Sequence, residues 1–397
     1  MRFALATVGS RGDVEPCAAI GRELQRRGHE VRMAVPPDAI GFVWSAGLAA
    51  VAHGPDQALH VANIERTYGK TPHPLAAAWE FVSHVTQLWP ALGASLMSLA
   101  DGADLLLTDA SEQGLGANVA EYYDIPLAAL HIFPLDPNGT DSQITKRAED
   151  AQRRTLGLPE QTDRSTRRPP LEIQAYDELF FPGLADEWAK HDLWRPFVGG
   201  LTLELPGDTD EEVSSWIAAG TPPIYFGFGS SVQLPSPAET VAVISAACAQ
   251  LGERALICSG LSDLTRIPHS DHVKIVATVN HSAVFPACRA VVHHGGPGTT
   301  FAGIRAGVPT LALSISVDQP LWATAVTRLG VGHGRRFFEA TLDTVVADLR
   351  SILTPQCVTR VREVAAQMAT PAESASAAAD LMEEAVRLGN RRLERKY

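Results

Sequence analysis

The chain has little cysteine, an acidic excess and no long apolar run. Cys17, Cys248, Cys258, Cys288 and Cys357 are its five cysteines in 397 residues. They are scattered and form no CxxC pair, which excludes a disulfide scaffold and fits small reduced thiols in buried positions. Lys and Arg number 33 against 45 Asp and Glu, a formal charge of −12. That balance argues against nucleic acid or an anionic membrane as the main partner. No stretch approaches the roughly 18 apolar residues of a membrane span. The opening Met1-Arg2-Phe3-Ala4-Leu5-Ala6-Thr7 lacks the apolar segment and cleavage site of a secretory signal, so a cytoplasmic location is expected. Arg391, Arg392, Arg395 and Lys396 make the tail locally basic. They read as a solvated terminal helix, with a weak peripheral membrane contact left open.

Glycine (32) and proline (27), by contrast, are plentiful, as many strand-to-helix turns require. With 45 % apolar and 20 % charged residues the chain is globular, and its length suits two domains. Phe3–Thr7 reads as an apolar strand, Pro16–Arg27 as an amphipathic helix ending at Gly28, and Val31–Val35 as the next strand. Strand, helix and strand at this spacing form a βαβ unit with a parallel sheet. Leu105–Thr108, a helix near Gln113–Tyr123, and Leu127–Leu130 repeat it. Strand rhythm is lost over residues 138–193, where helical patches such as Ser142–Leu156 remain. It returns at Ile224–Ser231, the helix Ala238–Leu251, then Ala255–Cys258, Val273–Val276, Ala290–His293 and Thr310–Leu313. Gly199 to Asp208 reads as a hinge, giving domains over 1–200 and 201–397.

The most telling stretch is Val291-Val292-His293-His294-Gly295-Gly296-Pro297-Gly298-Thr299-Thr300, followed by Ala306-Gly307-Val308-Pro309 and Asp318-Gln319-Pro320. An apolar strand empties into a glycine-rich turn that opens a helix. Such a turn lets backbone approach a ligand, and the first helical amides point at an anion, most naturally phosphate. His294 adds a donor, Thr299 and Thr300 add hydroxyls, and Asp318 with Gln319 can bond a polyol. A phosphate cradle beside a carboxylate–amide pair suggests a nucleotide-activated sugar. Gly227-x-Gly229 lacks the third glycine and acidic residue of a dinucleotide fingerprint.

This segment resembles the donor-binding signature of the GT-B glycosyltransferases, α/β proteins with two facing Rossmann-like domains, each with a parallel sheet. Ser10-Arg11-Gly12-Asp13-Val14-Glu15-Pro16 resembles the amino-terminal motif of the family 1 actinobacterial branch, which glycosylates glycopeptide antibiotics and mycobacterial glycolipids. Asp318-Gln319-Pro320-Leu321-Trp322-Ala323 also resembles the sterol-type transferases. The resemblance implies that the last helix, about 372–392, crosses back onto the first domain. It implies inverting transfer from a dTDP- or UDP-sugar to a hydroxyl of a lipid, glycopeptide or polyketide-like acceptor. No cofactor is called for, and a monomer or homodimer is expected. A UDP-sugar 2-epimerase and a non-catalytic nucleotide-binding helper are the rival readings.

Many relatives have Gly-His-x-x-Pro where this chain has Gly12-Asp13-Val14-Glu15-Pro16, so Asp13 stands at the position of the catalytic base. It reads either as that base or as a helix cap. Asp109, where relatives keep an Asp that orients the His, reads as a second carboxylate that tunes Asp13 or as a turn cap. By the same resemblance, Ser10, Arg11, His294, Gly296, Gly298, Thr299 and Thr300 meet the diphosphate, and Ser230 and Ser231 face the phosphates or the sugar. Val279 clamps the base, and Asp318 and Gln319 hold the sugar. His293 reads as a buried packing residue, Arg11 alternatively as a solvated surface residue, and Glu15 as structural. Plant relatives carry a ribose-binding Glu eight residues after the signature His; Ala302 stands there, which tilts the donor toward a deoxyribose nucleotide. Asp208-Thr209-Asp210 reads as helix capping in preference to a metal motif, so metal-independent transfer is expected. Trp79, Phe81, Trp89, His131 and Phe133 are candidates to line the acceptor cleft, with Trp79, His131 and Phe133 preferred, against the alternative that such aromatics are core.

Overall fold

The computed structural model describes residues 1–56, 74–135, 141–160, 171–191, 194–203, 205, 210–229, 234, 236–260, 262, 264, 266–315 and 318–396. Of residues 74–86, 141–145, 191, 210 and 390–396 it describes the backbone alone. The chain folds into two α/β units. The first comprises Met1–Glu178, Pro182–Leu203 and Pro371–Tyr397; the second comprises Leu179–Phe181 and Glu204–Thr370.

In the first unit β1 (Arg2–Ala6), β2 (Glu30–Val35), β3 (Ala50–Ala52), β4 (Leu105–Asp109), β5 (Leu127–His131) and β6 (Leu171–Gln174) form a sheet ordered β3-β2-β1-β4-β5-β6. In the second, β7 (Ile224–Gly227), β8 (Ala255–Cys258), β9 (Val273–Val276), β10 (Ala290–His293), β11 (Thr310–Ser314) and β12 (Gly332–Arg336) are ordered β12-β11-β10-β7-β8-β9. All pairings within both sheets are parallel. Helices cover both faces, which explains why strands such as β10 are apolar at successive positions: Ile224, Phe226 and Val292 pack on one side, Tyr225, Leu256 and Val291 on the other. The order reverses at β1/β4 and at β7/β10. Ligands of doubly wound sheets bind beyond the carboxyl ends of strands at that reversal. The two motifs singled out in the sequence, after β1 and after β10, stand at these two places.

Several elements depart from the sequence reading. The first helix spans Arg11–Arg26 and starts five residues before Pro16, which lies inside it. Proline suggested a first helical position, but Ser10 is the true cap. β6 and β12 lack the expected apolar run, and β3 is apolar but only three residues long and largely exposed. β6 is fully buried yet carries Glu172 and Gln174, and β12 is a Gly- and Arg-rich edge strand. In β12 a Cβ on Gly332 would lie 1.8 Å from the Thr310 carbonyl oxygen, so close approach, not apolar burial, selects its composition. The last helix, Pro371–Lys396, broken by non-helical backbone at Gly389, belongs to the first unit. Ala378, Ala379, Met382 and Ala385 are its buried side. The Arg27 guanidinium anchors it, donating to Asp380 (2.6 Å), Glu383 (3.1 Å) and Ser376 Oγ (2.8 Å). The short segment Leu179–Phe181 is built into the second unit, with the Phe180 ring 5.4 and 5.5 Å from Phe301 and Trp322.

Candidate active site

At the edge of the first sheet the turn after β1 is held by reciprocal capping. Ser10 Oγ accepts the Gly12 amide (3.2 Å), and the Ser10 amide donates to Asp13 Oδ2 (2.7 Å), which the Ser10 hydroxyl also reaches at 3.2 Å. Such a capping box contributes about 1 kcal/mol. Gly9 makes the geometry accessible: its φ is +116° and a Cβ there would lie 2.3 Å from Asp13 Oδ2. Asp13 is therefore a half-buried carboxylate, fixed in orientation, in the first turn of a helix at the sheet's reversal. Arg11 lies with its guanidinium 3.6 Å above the Phe42 ring and Nε 2.7 Å from Glu15 Oε2. Glu15 Oε1 accepts the Leu203 amide at 2.9 Å, so Glu15 is a structural tie.

Asp109, ending β4, accepts five hydrogen bonds. Oδ2 takes the Val8 amide (2.7 Å) and Thr7 hydroxyl (3.1 Å). Oδ1 takes the Ser111 amide (2.8 Å), Ser111 hydroxyl (2.5 Å) and Glu112 amide (3.1 Å). Of the two sequence readings, this is the geometry of a turn anchor. Beneath it lies a pair that the sequence did not suggest, the buried His53 and Glu112, with the half-buried Ser95 beside them.

At the edge of the second sheet, the helix Pro297–Arg305 begins at Gly296 without any side-chain cap. Pro297 has no N–H, and Thr300 is committed inward: its amide (3.0 Å) and hydroxyl (2.9 Å) both donate to the Gly296 carbonyl. The amides of Gly298 and Thr299 thus head the helix, and a Cβ on Gly298 would meet nothing within 4 Å. His294 stands beside them, seated between two glycines. A Cβ on Gly296 would lie 2.5 Å from its Nε2, and one on Gly229 (φ +85°) 2.8 Å from its Cε1. Burial lowers the His294 pKa to about 4, against a weaker opposing effect of the Gly227 carbonyl. Its Nδ1 is buried without a hydrogen-bond partner. His293 is fully buried, with Nδ1 accepting the Gly295 amide at 3.0 Å, as a packing residue should be. Gly295 (φ +89°) backs onto Gln319, whose Oε1 accepts the Ile315 amide at 2.7 Å. Asp318 is half-buried, its pKa raised mainly by burial. Val279 is partly buried against the core of this unit.

Among the acceptor candidates, Trp89 is a core residue of the first unit, 4 % exposed. His131 ends β5 in a buried polar network: Nε2 lies 3.2 Å from Gln113 Oε1, and Gln113 Nε2 donates to Glu172 at 2.8 Å. Burial lowers its pKa to about 4. Phe133 is half-buried just beyond it. Ser230 and Ser231, the side chains of Trp79 and Phe81, and most of Asp208-Thr209-Asp210 lie outside the described residues. Among the described residues, no helix is long and apolar enough to cross a membrane, and no group of three or more His, Cys, Asp or Glu could hold a metal ion.

Two six-stranded parallel sheets in separate units, each with a glycine-bearing turn at the strand-order reversal, define a two-domain GT-B fold. Solved structures agree. The glycotransferase of kitacinnamycin matches with a TM-score of 0.73 at 19 % identity, over 97 % of this chain and 98 % of that one. The glycosyltransferase VinC in complex with dTDP matches with a TM-score of 0.68 at 19 % identity, over 98 % and 100 %. Residues 255–388 match the family model of the erythromycin biosynthesis protein CIII-like C-terminal domain, and residues 3–72 that of the glycosyltransferase family 28 N-terminal domain. An uncharacterized glycosyltransferase of Mycobacterium leprae is 56 % identical over 97 % of both chains. The vancomycin aglycone glucosyltransferase of Amycolatopsis orientalis is 31 % identical over 97 % of this chain and 98 % of its own. The chain belongs to the actinobacterial branch of the family 1 GT-B glycosyltransferases. The epimerase and helper readings gain no support from these relatives.

Proposed function

We propose that the protein transfers a hexose or deoxyhexose, rhamnose included, from a dTDP- or UDP-sugar to a hydroxyl of a lipid, glycopeptide or polyketide-like acceptor, with inversion and without a metal ion. The observation that carries the donor half is the uncapped start of the helix Pro297–Arg305 beside His294. Free amides and a helix dipole meet there beside the His294 ring, a combination suited to a leaving diphosphate. The fold neighbour VinC was solved with dTDP, and the vancomycin enzyme is named for an aglycone acceptor; both support this substrate class. Ala302, in the place of a ribose-binding carboxylate, favours a deoxyribose nucleotide.

In this mechanism Asp13 accepts the proton of the acceptor hydroxyl. The oxygen attacks the anomeric carbon from the face opposite the nucleotide, and the bond to the β-phosphate oxygen breaks. A single displacement inverts the configuration. The nucleoside diphosphate leaves with its charge met by the Gly298 and Thr299 amides and by His294. Asp318 and Gln319 are assigned to the sugar hydroxyls, Val279 to the base, and Ser10 and Arg11 to the diphosphate. For Arg11 this requires release from Phe42 and Glu15. Asp109 enters as the anchor that sets the turn bearing Asp13.

Turnover of dTDP- and UDP-sugars with a panel of hydroxylated acceptors tests the proposal. Asp13→Asn, which can still cap the helix, is expected to lower the transfer rate about 10²- to 10⁴-fold while leaving nucleotide binding intact. Chelator should leave the wild-type rate unchanged. An Asp13→Asn enzyme at the wild-type rate would remove the base assignment.

A further inference from the structure

The first sheet's functional edge contains a buried polar assembly that the displacement itself does not use. His53, in the loop after β3, is 1 % exposed, and Glu112, in the turn after β4, is 2 % exposed. His53 Nε2 lies 2.9 and 3.0 Å from the two Glu112 oxygens, and Nδ1 lies 2.9 Å from Ser95 Oγ, on the helix Pro74–Ala100. Three segments far apart in sequence thus meet on one imidazole. Burying such a trio costs desolvation that apolar side chains of the same volume would avoid. Hydrophobic burial alone therefore does not account for these residues.

The trio grips the turn that carries Asp13 from two sides. By hydrogen bonds, the Glu112 amide donates to Asp109 Oδ1 (3.1 Å), and Asp109 Oδ2 takes the Val8 amide (2.7 Å) and the Thr7 hydroxyl (3.1 Å). By packing, Gly54, next to His53, has φ +71°, and a Cβ there would lie 3.1 Å from Val8 Cγ1. Val8 is followed by Gly9 and Ser10, which set the Asp13 carboxylate. Among the described residues, the other titratable groups facing this cluster are Asp109, on the same turn as Glu112, and Cys17, from the helix Arg11–Arg26 against Asp109. We propose that His53 and Glu112, braced by Ser95, are positioning residues for sugar transfer: they hold the Asp109 turn, and through it the turn that aims Asp13. This rests on the reading of Asp13 as the base.

Glu112→Gln, His53→Gln and the double variant test it with two readouts. The first is amide hydrogen exchange. Val8, Ser111 and Glu112 amides should exchange at least tenfold faster in each variant, while amides of β10 and β11 keep wild-type protection. The second is turnover of UDP-glucose and dTDP-glucose, with water or 4-nitrophenol as acceptor. kcat should fall roughly tenfold with donor KM unchanged, and the double variant should be no worse than the singles, because the pair acts as one unit. Unchanged exchange at Val8, or loss of protection spread evenly over the whole molecule, would overturn the proposal. So would faster exchange at Val8 with an unchanged kcat. Should both singles fail to fold, Ser95→Ala removes one half-buried hydroxyl and carries the same two readouts, with a two- to threefold effect expected and no effect contradicting. If Asp13→Asn transfers at the wild-type rate, the base reading falls on its own, and the exchange data still decide whether the trio holds the turn.

Discussion

At the scale of single residues, burial keeps both His294 and His131 neutral. His294, assigned here to the leaving diphosphate, has its pKa lowered to about 4. A bound diphosphate favours the imidazolium, so binding should draw a proton onto the ring as the pH falls. A nucleotide sugar has both phosphates esterified and does not itself titrate in this range, which makes it the right probe. Its affinity for the wild type is expected to rise roughly tenfold between pH 8 and 5, about 1.4 kcal/mol, and to be flat with pH in His294→Gln. Calorimetric titration measures both. His131 is buried in the polar network at the end of β5. Its folded pKa of about 4 lies below the ordinary 6.5, so between these values the unfolded chain binds a proton that the folded chain does not. Stability should therefore fall as the pH drops from 6.5 toward 4 and level off below. The loss approaches about 3 kcal/mol for this one group. Melting temperatures of wild type and His131→Gln at pH 7 and 4.5 check it: the variant should lose less.

At the scale of elements, the seat of His294 is built from glycines. Gly296 has φ −65° and ψ 143°, which alanine adopts without strain, yet its Cβ would lie 2.5 Å from His294 Nε2. Gly296→Ala should weaken donor binding about tenfold while shifting the melting temperature by little. Gly298→Ala, with open space around it, should fold as the wild type does; a large loss of stability there would contradict the open turn described. The same elements show what was legible beforehand. β1, β4, β7 and β10 announce themselves because parallel strands buried on both faces must be apolar at every position. The turns after β1 and β10 announce themselves because glycine beside His or Asp has few structural explanations. β6 is hard to read because two of its four buried positions carry polar side chains, Glu172 and Gln174. The first helix was misplaced because Pro16 resembles a start more than Ser10 does. His53 and Glu112 carry no local pattern at all: they lie 59 residues apart and meet only when the sheet assembles.

At the scale of the whole molecule, the chain does not divide into two consecutive halves. Its last helix belongs to the first unit, and Leu179–Phe181 belongs to the second. Arg27, 17 % exposed, carries the return of the last helix through Asp380, Glu383 and Ser376. Arg27→Met should cost the first unit about 1 kcal/mol, since it removes the donor from Ser376 and one of three partners from the largely buried Glu383, while Asp380 is exposed. Denaturant unfolding of the intact chain should show that loss, and an unchanged midpoint would mean that the apolar side of the helix suffices alone. The central claim is that a nucleotide diphosphate rests on the start of the helix Pro297–Arg305. A crystal structure of the protein with dTDP or UDP tests it most directly. Phosphate oxygens should lie about 3 Å from the Gly298 and Thr299 amides and from His294. A diphosphate bound elsewhere, with those amides covered by protein, would contradict it.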